Sequence, residues 1–182
     1  MRLGQLAGLI GAAVTVIGVA TVANAATVFS TFGPGQSFDL LGVLISGPTS
    51  AVLFGSQYAD GFTSPGYFNV DQIDVALANL SGTNSANVSL WTDVADVPGS
   101  ELGSWTLNGQ PPFGSFQVTA ISGITGISLT KKSKYFLAVS PGAADTYDQW
   151  MGNNVGAQGP IAHMIGGGGW ELSTEVGDGV TG

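Results

Sequence analysis

Apolar residues in this chain recur at every second position, in short runs cut off by turn residues. After residue 26 no stretch carries the 3.6-residue apolar period of an amphipathic helix. Val88, Leu90 and Thr92 alternate with Asn87, Ser89 and Trp91; Tyr135, Leu137 and Val139 alternate with Phe136 and Ala138. Val70, Ile73, Val75 and Leu77 are mostly spaced by two, with Asp74 and Ala76 between them. A period of two sends one set of side chains into a core and the other to the opposite face. Further candidate strands are 27–31, 38–45, 56–62, 104–107, 115–120, 124–129, 148–151 and 169–172. The runs are punctuated by turn or loop signals: Gly33-Pro34-Gly35, Gly47-Pro48, Ser64-Pro65-Gly66, Ser81-Gly82, Pro98-Gly99, Asn108-Gly109, Pro111-Pro112 and Pro141-Gly142. Regular punctuation of this kind, without an internal repeat, predicts an all-β fold: a single jelly-roll-like antiparallel β-sandwich over residues 26–172. Residues 153–169 are rich in Gly and small side chains and read as one long loop.

The first 25 residues follow a different logic. Met1-Arg2 is a short positive start, Leu3 to Val22 is uncharged and mostly apolar, and Ala23-Asn24-Ala25 is a small-x-small site. These are the three parts of a secretory signal peptide, with cleavage expected near Ala25-Ala26. The expected product is secreted and extracellular, with no membrane span in the mature chain, because no second long apolar stretch follows residue 25. Its cations are Lys131, Lys132 and Lys134, set against 12 acidic residues. So acidic a chain is a poor partner for nucleic acid, whose affinity rests on Lys and Arg neutralising phosphates. The chain has no Cys, which excludes disulfides and thiol chemistry, so packing alone must hold it together.

Chemistry-bearing patterns are sparse. His163 is the lone imidazole, it adjoins a Gly-rich run, and no Gly-x-Ser-x-Gly elbow accompanies it. An exposed or incidental histidine is expected there, with no catalytic residues and no enzyme activity. Asp93 and Asp96, three apart between Thr92 and Gly99, are candidate calcium ligands, since calcium needs only oxygen donors. Asp39, Asp60, Asp71 and Asp74 are further carboxylates near expected strand ends. Lys131 to Lys134 reads as a solvated turn before the Tyr135 strand. Trp91 falls on the opposite strand face from Val88 and Leu90 and so faces out if those two face in. Trp91, Trp150 and Trp170 are the candidate carbohydrate contacts, the alternative for each being packing.

The order of landmarks carries a resemblance. Phe29-Ser30-Thr31-Phe32-Gly33-Pro34-Gly35 is followed by Asp60-Gly61-Phe62, Asp71-Gln72-Ile73-Asp74-Val75-Ala76-Leu77 and Ser81-Gly82-Thr83-Asn84. Val88 to Asp93, Pro98-Gly99-Ser100, Ser104-Trp105, Leu129-Thr130, Lys134 to Leu137, Trp150 with Asn153, and Gly169-Trp170 complete the set. The chain resembles the choice-of-anchor R type of bacterial extracellular domain, which is often followed by a PEP-CTERM sorting tail. That resemblance implies a secreted β-sandwich and no particular biochemical role, and it brings no catalytic residues. Low charge density and many small polar residues suit an extracellular surface or matrix protein, and the tryptophans make extracellular polysaccharide or matrix the expected partner. Residues 173–182, expected as a C-terminal tail, hold no Pro-Glu-Pro-like motif, apolar span or basic finish.

Overall fold

The computed structural model describes Ser30 and residues 32–50, 55–155 and 159–173. The expected signal peptide (1–25), its cleavage site and the tail after Ser173 lie outside the described residues, as does nearly all of the expected strand 27–31. Among the described residues the regular structure is β apart from one short 3-10 turn at Pro34–Gln36. No helix there is long and apolar enough to cross a membrane.

Among the described residues twelve strands follow one another: β1 (Asp39–Ser46), β2 (Ser56–Thr63), β3 (Phe68–Asn69), β4 (Gln72–Ser81), β5 (Ser85–Val94) and β6 (Val97–Asn108), then β7 (Val118–Ser122), β8 (Ser128–Leu129), β9 (Lys134–Pro141), β10 (Tyr147–Gly152), β11 (Ile161–Ile165) and β12 (Glu171–Leu172). Their pairing divides into two layers. One runs β1-β10-β4-β7 and the other β2-β9-β5-β6, joined at a corner where Ser46 of β1 pairs with Ser56 of β2. Most successive strands cross between the layers, whereas β5–β6 and β11–β12 are hairpins within the second, a jelly-roll-like connectivity. Every strand pairing is antiparallel. The second layer is widened by β11, which pairs along the far edge of β2, and by β12 beyond it. The short β3–β8 pair stands apart from both layers.

The alternation seen in the sequence explains the core. Ile45, Val75, Leu77 and Ile121 from the first layer meet Ala86, Val88 and Val139 from the second, and all are buried. Leu137, Trp105, Leu107, Tyr58 and Trp150 pack around them. Phe62, Leu90, Leu129 and Tyr135 form a second cluster, in which the Tyr135 hydroxyl accepts a hydrogen bond from the Thr130 amide at 2.8 Å. The first layer's outer face is small, with Ala76, Ala78 and Met151, and is covered by Phe32, Phe38, Phe116 and Val118.

Four sequence expectations are corrected. The stretch 153–169 is not one loop, because Ile161–Ile165 forms β11. Pro98-Gly99 is not a turn; both residues lie inside β6. The turn is Ala95-Asp96, with φ of 56° and 63°, joining Asp93↔Pro98 and Val94↔Val97. Two left-handed central residues are the hairpin geometry whose twist matches that of the flanking strands. Residues 124–129 supply only the two-residue β8, and the strand expected at 115–120 sits later, at Val118–Ser122.

Leu77 is 1% exposed and packs where the two layers meet. Leu77→Ala should cost about 2–5 kcal/mol in urea denaturation. Leu41→Ala, at a side chain 67% exposed, should change stability by less than about 0.5 kcal/mol. Equal effects would mean that the interlayer packing does not hold the domain.

Candidate functional site

Two places gather chemistry-bearing side chains, and strand β2 contributes to both. The first is the outer face of the second layer. Ser89, Ala138, Ala59 and Ala162 lie side by side across β5, β9, β2 and β11. The three alanines and Phe136 are at most 1% exposed although they point away from the interlayer core. Trp91, Val97 and Trp170 cover them. The cause is steric: a row of alanines leaves a shallow trough into which an indole fits. Gly166 and Gly167, with φ of 65° and 76°, turn the chain after β11 and bring Trp170 back over the sheet. Trp91 and Trp170, 79 positions apart, meet edge to face with ring centroids 6.3 Å apart. The Trp91 indole N–H donates to the Ser89 hydroxyl at 2.7 Å, which fixes its ring orientation. Both indoles stay half-buried, so each keeps part of its surface toward solvent.

The second place is a cleft between the layers, where β2 and β11 approach β1 and β10. Val43, Tyr58, Ala59, Asp60, Trp150, Met151, Asn153 and Ile161 line a cavity of about 20 Å³. Alternation along β2 turns Tyr58, Asp60 and Phe62 to the same side. The side chains beside Asp60 on the neighbouring strands are Leu137 of β9 and Ile161 of β11, so no charge flanks it. Asp60 is 8% exposed, and its Oδ1 is buried without a hydrogen-bond partner. Burial pushes its carboxyl up to about 7. Asn153, directly after β10, accepts the Val155 amide on its side-chain oxygen at 2.7 Å. Trp150 therefore sits apart from the other two candidate tryptophans, packed against the interlayer core.

A second buried acid, Asp148 of β10, accepts from the Asn79 amide at 2.8 Å, while its Oδ2 has no partner. Desolvation raises it to about 6 and the Asn79 bond opposes the rise. His163 lies on β11 opposite Tyr58 and packs against that ring at 6.2 Å.

The candidate calcium pair has a different setting. Asp93 lies on β5, one residue before its end, and Asp96 lies in the hairpin turn, where its carboxylate is ion-paired with the Lys134 ammonium. Asp93 adds a weaker pull on the same ammonium, and the two partners together raise Lys134. A cation bound there would compete with Lys134 for Asp96. Among the described residues no group of three or more His, Cys, Asp or Glu side chains converges as a metal site.

Asp148 was missed in the sequence, where alternation was the signal available for both buried acids. Tyr58-x-Asp60-x-Phe62 and Asp148-x-Trp150 each place an acid on an aromatic, core-facing side. Asp60 was expected near a strand end and instead lies within β2. Comparison with protein-family models, curated proteins and solved structures finds no match to this chain.

Both buried acids are protonated in the fold at pH values where the unfolded chain, near 3.8, has lost those protons. Their contribution therefore favours the fold at low pH and fades as pH climbs from about 4 to about 7. Asp60→Asn should leave stability near pH 4 little changed and raise it at pH 8 by roughly 2–4 kcal/mol. Urea denaturation at both pH values measures this. A variant whose pH slope equals that of the parent would show that Asp60 is ionised in the fold.

Proposed function

We propose that this chain is an exported, non-catalytic surface or matrix protein of the choice-of-anchor R kind that contacts polysaccharide through the outer face of its second layer. The Trp91–Trp170 pair carries the reading. Indole faces stack on the apolar faces of sugar rings, and here two indoles from distant parts of the chain share one sheet face while remaining half exposed. The Ser89 bond and the alanine row hold Trp91 rigidly, so little side-chain freedom is lost when a ligand docks. Jelly rolls include lectin domains, an analogy of fold that supports the reading without identifying a sugar. The non-catalytic part rests on the sequence, whose lone imidazole, His163, comes with no Gly-x-Ser-x-Gly elbow; in the fold its ring packs on Tyr58 and its strand partner on β12 is Glu171. Export rests on the N-terminal pattern ending at Ala25.

Two measurements test this. The protein recovered from outside expressing cells should begin at Ala26; a product retaining Met1 would rule out cleavage. The recovered protein should co-sediment with an insoluble polysaccharide from a panel. Trp170→Ala and Trp91→Ala should each weaken that binding at least about tenfold, the factor corresponding to about 1.4 kcal/mol of lost contact. Circular dichroism would verify that both variants keep the β fold. No binding to any polysaccharide, or binding indifferent to both substitutions, would refute the contact.

A further inference from the structure

We infer that the cleft lined by Tyr58, Asp60, Trp150 and Asn153 is a binding site for a primary ammonium head group, which Asp60 holds between aromatic walls. Four observations carry it. The Asp60 side chain is 8% exposed and lines the cavity, and its Oδ1 is buried without a hydrogen-bond partner. A buried carboxylate in that state is short of a donor, and a charged donor compensates it best. The walls are Tyr58, Trp150, Val43, Met151 and Ile161, with no Lys, Arg or His among the lining residues, so no cation of this wall fills the role. Aromatic faces beside a carboxylate suit an organic cation better than a metal ion, which demands a shell of oxygens. The volume of about 20 Å³ accommodates a water-sized head group and not a sugar ring. Finally, the net charge of -8 draws cations toward the surface around the cleft.

The head group is shared by two sources, a free amine and an amino sugar presenting its amine to the cleft. This site lies on the inward side of β2, whereas Trp91 and Trp170 lie over its outward side. The two readings therefore fail independently.

The test is a thermal-shift and calorimetric titration of the full chain at pH 8, at fixed ionic strength, with methylammonium and with glucosamine. Sodium, calcium, tetramethylammonium and N-acetylglucosamine serve as comparisons. Methylammonium should raise the melting temperature by several degrees, and Asp60→Asn should reduce its affinity at least tenfold. Trp150→Phe should weaken binding, whereas Trp170→Ala should leave it unchanged. Binding of glucosamine as tight as that of methylammonium would identify a sugar-borne amine; binding of methylammonium alone would identify a free one. The inference is overturned by any of three results: neither amine binds, Asp60→Asn binds as the parent does, or sodium, calcium or tetramethylammonium gives the same shift as methylammonium.

Discussion

Contact between the inward faces of the two layers is the interaction on which everything else rests. Ile45, Leu77, Val88 and Val139 are at most 1% exposed, and each comes from a different strand. With no Cys in the chain, no covalent cross-link supplements this contact. Burial of a branched aliphatic side chain contributes on the order of 1.5–3 kcal/mol, so a few such residues equal the net stability of an ordinary domain. The jelly-roll-like connectivity then follows from the chain crossing between layers at most turns, the β5–β6 and β11–β12 hairpins excepted. Neither layer can form its apolar face without strands contributed from both halves of the sequence.

A two-layer sandwich needs only two buried faces, yet this one covers parts of its outer faces too. Aromatic residues do this on both sides: Phe32, Phe38 and Phe116 over Ala76 and Ala78, Trp91 and Trp170 over Ala59, Ala138 and Ala162. The arrangement is the same physically, small side chains in the sheet and large rings above them. It explains why tryptophans that read as candidate contacts are also packing residues. On the second layer the two roles share the same rings, because the buried half of each indole fixes its position and the exposed half is what a ligand meets.

How much was legible depended on the length of each alternating run. β4, β5 and β9 carry unbroken period-two patterns and were readable directly, including the outward turn of Trp91. β11 is five residues long and flanked by glycines, so composition concealed it. Pro98-Gly99 misled because Pro is tolerated near the start of a strand, while the true turn, Ala95-Asp96, carries no Gly or Pro to mark it. The cleft was hidden for a different reason. It is made by β1, β2, β10 and β11 together, and only the register across them shows that Asp60 and Trp150 line one space. Trp150 was singled out as a sugar contact from its place in the sequence, and its neighbours in the cleft were not readable there.

Register also explains how one strand serves two unlike surroundings. Along β2, Ala59 lies beneath the outer aromatic pair and Asp60, the next residue, lines the inner cleft. Ser56, paired both to Ser46 of β1 and to Ile165 of β11, ties the start of that strand at the corner; its hydroxyl donates to the Leu44 carbonyl at 2.7 Å and lies 3.0 Å from the Ser46 hydroxyl. A slip of one residue would turn Asp60 outward under the indoles and Ala59 inward, exchanging every side chain between faces. The corner serines and the close approach of Gly61 to Pro160, whose carbonyl accepts the Gly61 amide at 2.8 Å, fix β2 at both ends. Because a side chain at position 61 would collide with Pro160 atoms at 2.6–2.8 Å, glycine is required there for the loop before β11 to close against the strand. The same two anchors therefore set the alanine row outside and the carboxyl inside, although the surfaces have no lining side chain in common except Ala59.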